Sequence, residues 1–123
     1  MKIKSVVIAS ATLLSGACAN SEPVPVIDTA AVAPYVGIYN GSEILEGGTF
    51  PITIKILDSG KVNVIDVDGR IASGYLLDTR FVAKRSGVAR QVFNGEVKGS
   101  EITGTTTDNP FLGSGTFSAV RTQ

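Results

Sequence analysis

The stretch that decides the fold is residues 50–77, FPITIKILDSGKVNVIDVDGRIASGYLL. Its apolar side chains recur at every second position, as Ile52 and Ile54 do. Because successive side chains of a β-strand point to opposite faces of the sheet, this period of two indicates strands with one buried face. Ser59-Gly60 and Asp68-Gly69 interrupt the pattern, and such pairs are typical of tight turns that need a positive φ. The stretch therefore predicts three strands joined by hairpins.

The same pattern extends over the chain in both directions, with turn residues between the apolar runs. It predicts eight strands, which are Tyr35–Asn40, Phe50–Leu57, Lys61–Val67, Arg70–Leu77, Phe81–Arg85, Ala89–Lys98, Glu101–Thr107 and Gly115–Arg121. The longest connections then fall at residues 43–50 and 107–115.

Short connections make consecutive strands antiparallel neighbours, so the fold class is an all-β meander. A sheet of eight strands in so short a chain leaves exposed edges unless it closes on itself. We expect residues 35–123 to form a small closed β-barrel, with a two-layer β-sandwich as the alternative.

The first residues have the order of a secretory signal. Lys2 and Lys4 precede an apolar run at residues 6–14, and small residues then lead to Cys18. We predict a signal peptide at residues 1–17. Residues 18–34 are rich in Pro and Ala, which predicts a flexible tether, with an ordered strand or a short helix at residues 29–33 as the alternative.

Two processing sites compete around Cys18. Leu14-Ser15-Gly16-Ala17-Cys18 resembles the lipobox of bacterial lipoproteins, in which the cysteine is acylated and becomes the new N-terminus. Ala17-Cys18-Ala19 also fits ordinary cleavage before Asn20, which would release a soluble protein. We favour lipid attachment to Cys18, because a lone thiol in an oxidising compartment is otherwise a liability. By the same resemblance, Ala19 in place of an aspartate implies sorting to the outer membrane.

The amino-acid composition excludes several kinds of catalytic and metal-binding site. The chain has no His, no Trp and a single Cys, which excludes Ser-His and Cys-His catalysis, His-based zinc sites and cysteine-ligated clusters. We therefore predict no catalytic residues, no metal site and no cofactor. With Lys2 and Lys4 removed, nine basic residues face eleven acidic ones, a net charge of −2 that argues against nucleic-acid binding.

Carboxylates leave one enzymatic alternative open. A hydrolase would need two of Asp66, Asp68, Glu96 and Glu101 to meet in one cleft. Asp66 and Asp68 do not form an EF-hand loop, since its closing position falls on Tyr75 rather than on a carboxylate. We interpret that run as a hairpin turn.

Positive charge concentrates on one predicted hairpin. Arg80, Lys84, Arg85 and Arg90 flank its tip at Ser86-Gly87. We predict that they contact an anionic ligand or an acidic partner. The alternative is a solvated hairpin whose charges keep strands from pairing with other chains.

Two resemblances concern the barrel. Tyr35-Val36-Gly37-Ile38-Tyr39 resembles the first-strand signature of calycin-type barrels, which implies that Tyr39 is covered by a basic residue of the last strand, here Arg121, through a cation–π contact. Residues 93–98, 102–105 and 113–119 resemble the strand endings of eight-stranded barrels in transferrin-binding-protein-like surface lipoproteins. That likeness implies the architecture and the location rather than a ligand.

We therefore expect an exported, lipid-anchored, non-enzymatic binding protein of the bacterial outer membrane, held to the membrane through Cys18. It would contact a partner protein or a small ligand through the loops at one end of its barrel. The alternatives are a soluble periplasmic or secreted form, a periplasmic inhibitor or assembly accessory protein, and the carboxylate-dependent hydrolase.

Overall fold

The structure is a computed structural model, and it describes residues 24–123. The predicted signal peptide, Cys18 and the first part of the predicted tether lie outside the described residues.

Eight antiparallel strands form a closed barrel in which each strand pairs with its neighbours in sequence. The strands are β1 (Gly37–Leu45), β2 (Gly48–Ile56), β3 (Lys61–Ile65), β4 (Ile71–Leu77), β5 (Arg80–Arg85), β6 (Gln91–Lys98), β7 (Glu101–Asn109) and β8 (Gly113–Arg121). β1 pairs with β2 on one side and with β8 on the other, which closes the sheet. The predicted all-β meander and its closure into a barrel are confirmed, and the two-layer sandwich does not form.

The predicted long connection at residues 43–50 is wrong. β1 continues to Leu45 and β2 begins at Gly48, so only Glu46 and Gly47 remain between them. Glu43 occupies a buried position of β1, where the alternating pattern leads one to expect an apolar side chain. Because Glu43 breaks the pattern, the sequence predicts too early an end for the first strand and too long a connection after it. The second predicted connection shrinks in the same way, to residues 110–112.

Turn glycines adopt the backbone conformation that the sequence predicts for them. Gly60 has φ +90° in the β2–β3 turn, and Gly69 has φ +83° in the β3–β4 turn. A residue with a side chain rarely adopts these angles, so glycine sets the hairpins at these two points.

Side chains fill the barrel interior. Tyr39, Phe81, Phe93 and Phe117 lie inside with aliphatic residues of β2 to β8. The Phe93 and Phe117 rings meet edge to face with their centroids 5.5 Å apart, which is a favourable aromatic geometry. The interior is therefore a packed core with no central ligand chamber.

The folded domain begins before Tyr35, which the sequence places as its first residue. Asp28 caps a short helix, α1 (Thr29–Val32), by accepting hydrogen bonds from the backbone N–H groups of Ala30 and Ala31. A 3₁₀ turn at Ala33–Tyr35 follows. Val32 is buried in the barrel core, so residues 28–35 belong to the domain and match the short-helix alternative for this part of the tether.

Among residues 24–123, no helix has the length and apolar character needed to cross a bilayer.

The closing seam between β1 and β8 requires two glycines. Gly41 pairs with Ala119, and Gly115 pairs with Leu45. A Cβ at Gly41 would overlap the Ser118 carbonyl oxygen, and a Cβ at Gly115 would overlap the Ile44 carbonyl oxygen. Both strands therefore approach each other more closely at the seam than a side chain would allow.

We expect Gly41→Ala and Gly115→Ala each to lower the free energy of unfolding by about 3 kcal/mol, because a methyl group at either site must push the seam apart. Urea unfolding followed by circular dichroism measures the loss. Ser118→Ala is the control, since Ser118 lies on the exposed face of the same seam. Equal stability of the three variants would show that the seam tolerates a side chain.

Candidate functional site

The two ends of the barrel differ. The helix end carries α1 and the turns at residues 57–60, 78–79 and 99–100. The loop end carries the turns at residues 46–47, 66–70, 86–90 and 110–112. Antiparallel connectivity sends alternate turns to opposite ends, so the four loop-end turns lie together although they are far apart in sequence.

Tyr39 and Arg121 meet at the helix end. The Arg121 guanidinium lies 5.7 Å from the centroid of the Tyr39 ring. It also donates to the Pro34 carbonyl oxygen at 2.8 Å, and the Tyr39 hydroxyl donates to the Tyr35 carbonyl oxygen at 2.7 Å. Burial raises the pKa of the Tyr39 hydroxyl. These contacts attach the last strand to the segment that follows α1 and cover the core at this end.

Arg85 stands apart from the other three predicted contact residues, because its guanidinium is part of a buried ion pair at the loop end. One terminal nitrogen donates to Asp66 Oδ2 at 3.1 Å, and the other donates to Gln91 Oε1 at 2.8 Å. The Nε–H donates to the Ala89 carbonyl oxygen. Both side chains of the ion pair are only 9% exposed. Every nitrogen of the guanidinium thus has an acceptor, as a buried cation requires.

Gln91 connects this ion pair to the rest of the loop end. Its Nε2 donates to Glu43 Oε1 at 2.8 Å and to Thr106 Oγ1 at 2.6 Å. Its Oε1 accepts from Arg85 and from Asn109 Nδ2, the latter at 3.2 Å. The side chains come from β1, β5, β6 and β7, so the network spans the barrel just below the loops.

Two side chains of the network also shape the turns above it. Asp66 Oδ1 accepts from the backbone N–H groups of Asp68 at 2.8 Å and Arg70 at 2.9 Å. Asn109 Oδ1 accepts from the N–H groups two and three residues further along, at 3.0 and 2.9 Å. The positions of the β3–β4 and β7–β8 turns therefore depend on the buried network.

Glu43, like Gln91, Thr106 and Asn109, is a member of the network that the sequence analysis did not single out as a site residue. It is 3% exposed, and its carboxylate accepts one side-chain hydrogen bond, from Gln91. Burial raises the pKa of this carboxyl above its ordinary value of 4.5, with a smaller contribution in the same direction from Asp66. Continuing the alternation inward from Tyr39 through Gly41 would have placed Glu43 on the buried face.

A small cavity with a volume of about 90 Å³ lies beside the network, and we call it the loop-end cavity. Glu43, Asp66, Arg85 and Gln91 contribute polar groups to its wall. The remaining wall is partly apolar and comes from Phe50, Val67, Phe111 and Leu112. Since a water molecule occupies about 30 Å³ in the liquid, the cavity has room for about three groups of that size.

Arg80, Lys84 and Arg90 line a different feature, an open groove of about 1350 Å³ that we call the outer groove. Its floor is formed by residues of β4, β5, β6 and β7, and Lys61 and Pro25 lie on its wall. The exposed apolar side chains of Leu77 and Val82 lie among the basic ones. All four predicted basic contact residues therefore line one concave surface, and Arg85 also lines the loop-end cavity.

The outer groove is the most positive surface formed by residues 24–123. Five of the nine Lys and Arg residues between residues 24 and 123 line it, against two of the ten Asp and Glu residues. One of those two acids, Glu96, lies 3.7 Å from Arg80 in a solvent-exposed pair. The remaining surface is correspondingly acidic, which makes the groove a local attractor for negative charge.

The four carboxylates considered for hydrolysis are divided among separate places. Asp66 and Asp68 line the loop-end cavity, Glu96 lies in the outer groove, and Glu101 starts β7 at the helix end. Asp66 has both oxygens engaged by hydrogen bonds, and Asp68 forms an exposed ion pair with Arg70. No group of three or more His, Cys, Asp or Glu side chains suited to hold a metal ion occurs among residues 24–123.

Comparisons with known proteins return no relative of this chain. No family model matches it, and neither a curated protein nor a solved structure does.

We expect Arg85→Met to lower the free energy of unfolding by about 3–5 kcal/mol, because it leaves Asp66 as an uncompensated buried charge. Arg80→Met is the matched control on the same strand. Its side chain is 78% exposed and its ion pair with Glu96 is loose, so we expect a change of at most about 0.5 kcal/mol. Chemical denaturation measures both. Similar losses in the two variants would contradict the structural role of the Arg85–Asp66 pair.

Glu43→Gln should change how stability depends on pH. Since burial raises the pKa of Glu43 in the folded state, the folded state holds this proton over a pH interval in which the unfolded chain has lost it. The wild type therefore loses stability relative to Glu43→Gln as the pH rises from 4.5 through the raised pKa of Glu43, and the difference is constant above it. Urea unfolding at a series of pH values measures this difference. A difference that is flat, or that changes in the opposite direction, would contradict the assignment.

Proposed function

We propose that this protein is a non-enzymatic binding protein of the bacterial cell envelope whose outer groove holds an acidic segment of a protein partner. The observation that carries the proposal is the segregation of charge. The outer groove collects five basic residues and two acidic ones, while the mature chain as a whole is slightly acidic.

The packed interior supports a partner bound on the outside of the barrel. Larger barrels that store a ligand enclose it in a chamber, whereas Phe81, Phe93 and Phe117 occupy that space here. Cargo inside the barrel would have to displace the core. Binding on the outer surface requires no such change.

The size of the outer groove supports a polymer rather than a small molecule. Pockets for small ligands usually measure about 300–1000 Å³ and bury most of the ligand, whereas this groove is larger and open. Leu77 and Val82 offer apolar contacts between the cations. An extended acidic peptide with apolar side chains matches both the charge and the apolar spots.

The ends of the barrel can add contacts. At the loop end, Val67, Val88 and Phe111 are exposed at the tips of three turns, and Arg90 and Ser86 connect that end to the outer groove. Exposed apolar side chains that converge on one surface are typical of protein contacts. The loop end would therefore extend the binding surface, as expected for a partner held by barrel-end loops.

The leader-like residues 1–17 and Cys18 support a membrane location for this binding function. We propose that the signal peptide is removed, that Cys18 carries the lipid, and that the protein resides at the outer membrane as a lipoprotein. The lipobox-like run before Cys18 and the likeness of residues 93–119 to surface-lipoprotein barrels support this placement.

Intact-mass spectrometry of the mature protein tests the anchor. We expect a chain that starts at Cys18 and carries diacylglycerol, because the lipobox-like run ends at that residue. Cys18→Ser should abolish the lipid and release the protein from the membrane fraction. A mature chain that starts at Asn20 without lipid would contradict the anchor and would leave the outer groove unaffected.

Fluorescence anisotropy with a labelled peptide of alternating Glu and Val tests the outer groove. We expect saturable binding that weakens with added salt, and we expect the matching Lys and Val peptide not to bind. Lys84→Glu together with Arg90→Glu should weaken binding at least about tenfold, since like charges would then face the peptide.

The matched control is Lys55→Glu together with Lys98→Glu, which makes the same change in net charge outside the groove. We expect it to retain most of the affinity. Equal losses in the two double variants would show that net charge, and not the groove, attracts the peptide.

A further inference from the structure

The loop-end cavity contains a buried carboxylate that has fewer donors than it can use. An ionised carboxylate offers about four lone-pair sites, and buried ones are normally hydrogen-bonded at both oxygens. Glu43 Oε1 accepts from Gln91, while no described side chain donates to Glu43 Oε2. Glu43 is 3% exposed, and it lines the cavity. The cavity therefore adjoins an acceptor that lacks a donor.

The described donors near Glu43 are directed at other acceptors, apart from one N–H of Gln91. The Arg85 guanidinium donates one N–H from each of its three nitrogens, to Asp66, Gln91 and Ala89, and none of its N–H groups donates to Glu43. The Gln91 amide donates its two N–H groups to Glu43 and Thr106. A second hydrogen bond from Gln91 to Glu43 would therefore leave the buried Thr106 hydroxyl without this donor.

The charged groups that line the loop-end cavity would be neutralised by one additional monovalent cation. Glu43, Asp66 and Asp68 contribute three carboxylates, and Arg70 and Arg85 contribute two guanidinium groups. With all five ionised, the wall carries one excess negative charge. A monovalent cation would balance that charge and, by Coulomb attraction, would favour the ionised form of Glu43.

The rest of the wall indicates which kind of cation fits. Phe50, Phe111 and Leu112 give one side of the cavity an apolar surface. Calcium and magnesium ions prefer six or more oxygen ligands, whereas this wall has one buried carboxylate oxygen without a donor. An ammonium group on an alkyl stem carries three N–H donors and also an apolar portion that can contact the aromatic rings.

We propose that the loop-end cavity binds a primary ammonium group on a short alkyl stem, with the ammonium donating to Glu43 and the stem between Phe50 and Phe111. The volume of about 90 Å³ accommodates the ammonium and its nearest carbons, and the stem leads to the surface past Phe111, which is 73% exposed. The ligand is a free small amine or the lysine side chain of a partner protein. The loop-end cavity and the outer groove share Arg85 and Gln91 in their walls. The ammonium contacts Glu43, Phe50 and Phe111, none of which lines the outer groove, so either site can fail without the other.

Nuclear magnetic resonance titration of the mature chain with n-propylammonium chloride tests the proposal. We expect saturable shifts of the Gln91 side-chain amide and of the Phe111 and Leu112 backbone amides below about 50 mM ligand, a range that covers millimolar affinity. n-Propanol, which lacks the charge, and tetramethylammonium, which lacks N–H donors, should give no saturable shifts. No saturation with n-propylammonium, or equal shifts with n-propanol, would overturn the proposal.

Three variants test whether n-propylammonium binds in the loop-end cavity. Glu43→Gln should weaken n-propylammonium binding at least about tenfold, a loss of roughly 1.4 kcal/mol. Asp58→Asn removes the same charge at the helix end and should leave the affinity unchanged. Phe111→Ala changes an exposed side chain, so it keeps the fold and should weaken binding several-fold. Unchanged affinity in Glu43→Gln or in Phe111→Ala would overturn the proposal.

A second pair of ligands distinguishes a free amine from the lysine side chain of a partner protein as the source of the ammonium group. Nα-acetyl-lysine methylamide carries the lysine side chain on a blocked backbone, and Nα-acetyl-norleucine methylamide is its uncharged counterpart. Tighter binding of the lysine derivative than of n-propylammonium would identify a partner's lysine. Tighter binding of n-propylammonium would identify a free amine. Saturable binding of the norleucine derivative with equal affinity would show that the ammonium is not recognised, which overturns the proposal.

Discussion

The closure of the sheet between β1 and β8 is the constraint on which the rest of the structure depends. A single short chain without a disulfide must hide both edges of an eight-stranded sheet, and pairing its first strand with its last achieves this. Gly41 and Gly115 permit the close approach at the seam. Closure also places the inward face of every strand in one core, which four aromatic rings and many aliphatic side chains fill.

Because the barrel is closed and its interior is filled, its outer face and its two ends are the surfaces available for binding. These surfaces carry different side chains. Tyr39 and Arg121 cover the helix end together with the residues after α1. The loop end has a polar interior instead, in which Gln91 connects Glu43 to the Arg85–Asp66 pair. Such a buried network is stable only when its members are paired, so it holds the turns above it in fixed positions. The outer groove adds a positive surface along the side of the barrel.

The architecture was predictable because the alternation of residues such as Ile52 and Ile54 reports directly on which face is buried. The interior of the loop end was not predictable, because Glu43 is a charged residue at a core position, and its partners are distant in sequence.

The buried position of Arg85 was likewise not predictable from the sequence. Sequence proximity groups Arg85 with Arg80, Lys84 and Arg90. Strand alternation places Arg80 outside, while Arg85 reaches the buried Asp66. The packing of Val32 in the barrel core was not predictable either, because Val32 is one apolar residue in a segment without periodicity.

Hydrogen–deuterium exchange of the backbone amides tests barrel closure most directly. If β1 and β8 pair as the structure has them, the amides of residues 39–45 and 115–121 that face across the seam should exchange as slowly as those between β1 and β2. Fast exchange of the seam amides, with slow exchange elsewhere in the sheet, would mean an open sheet with two free edges and would contradict the account.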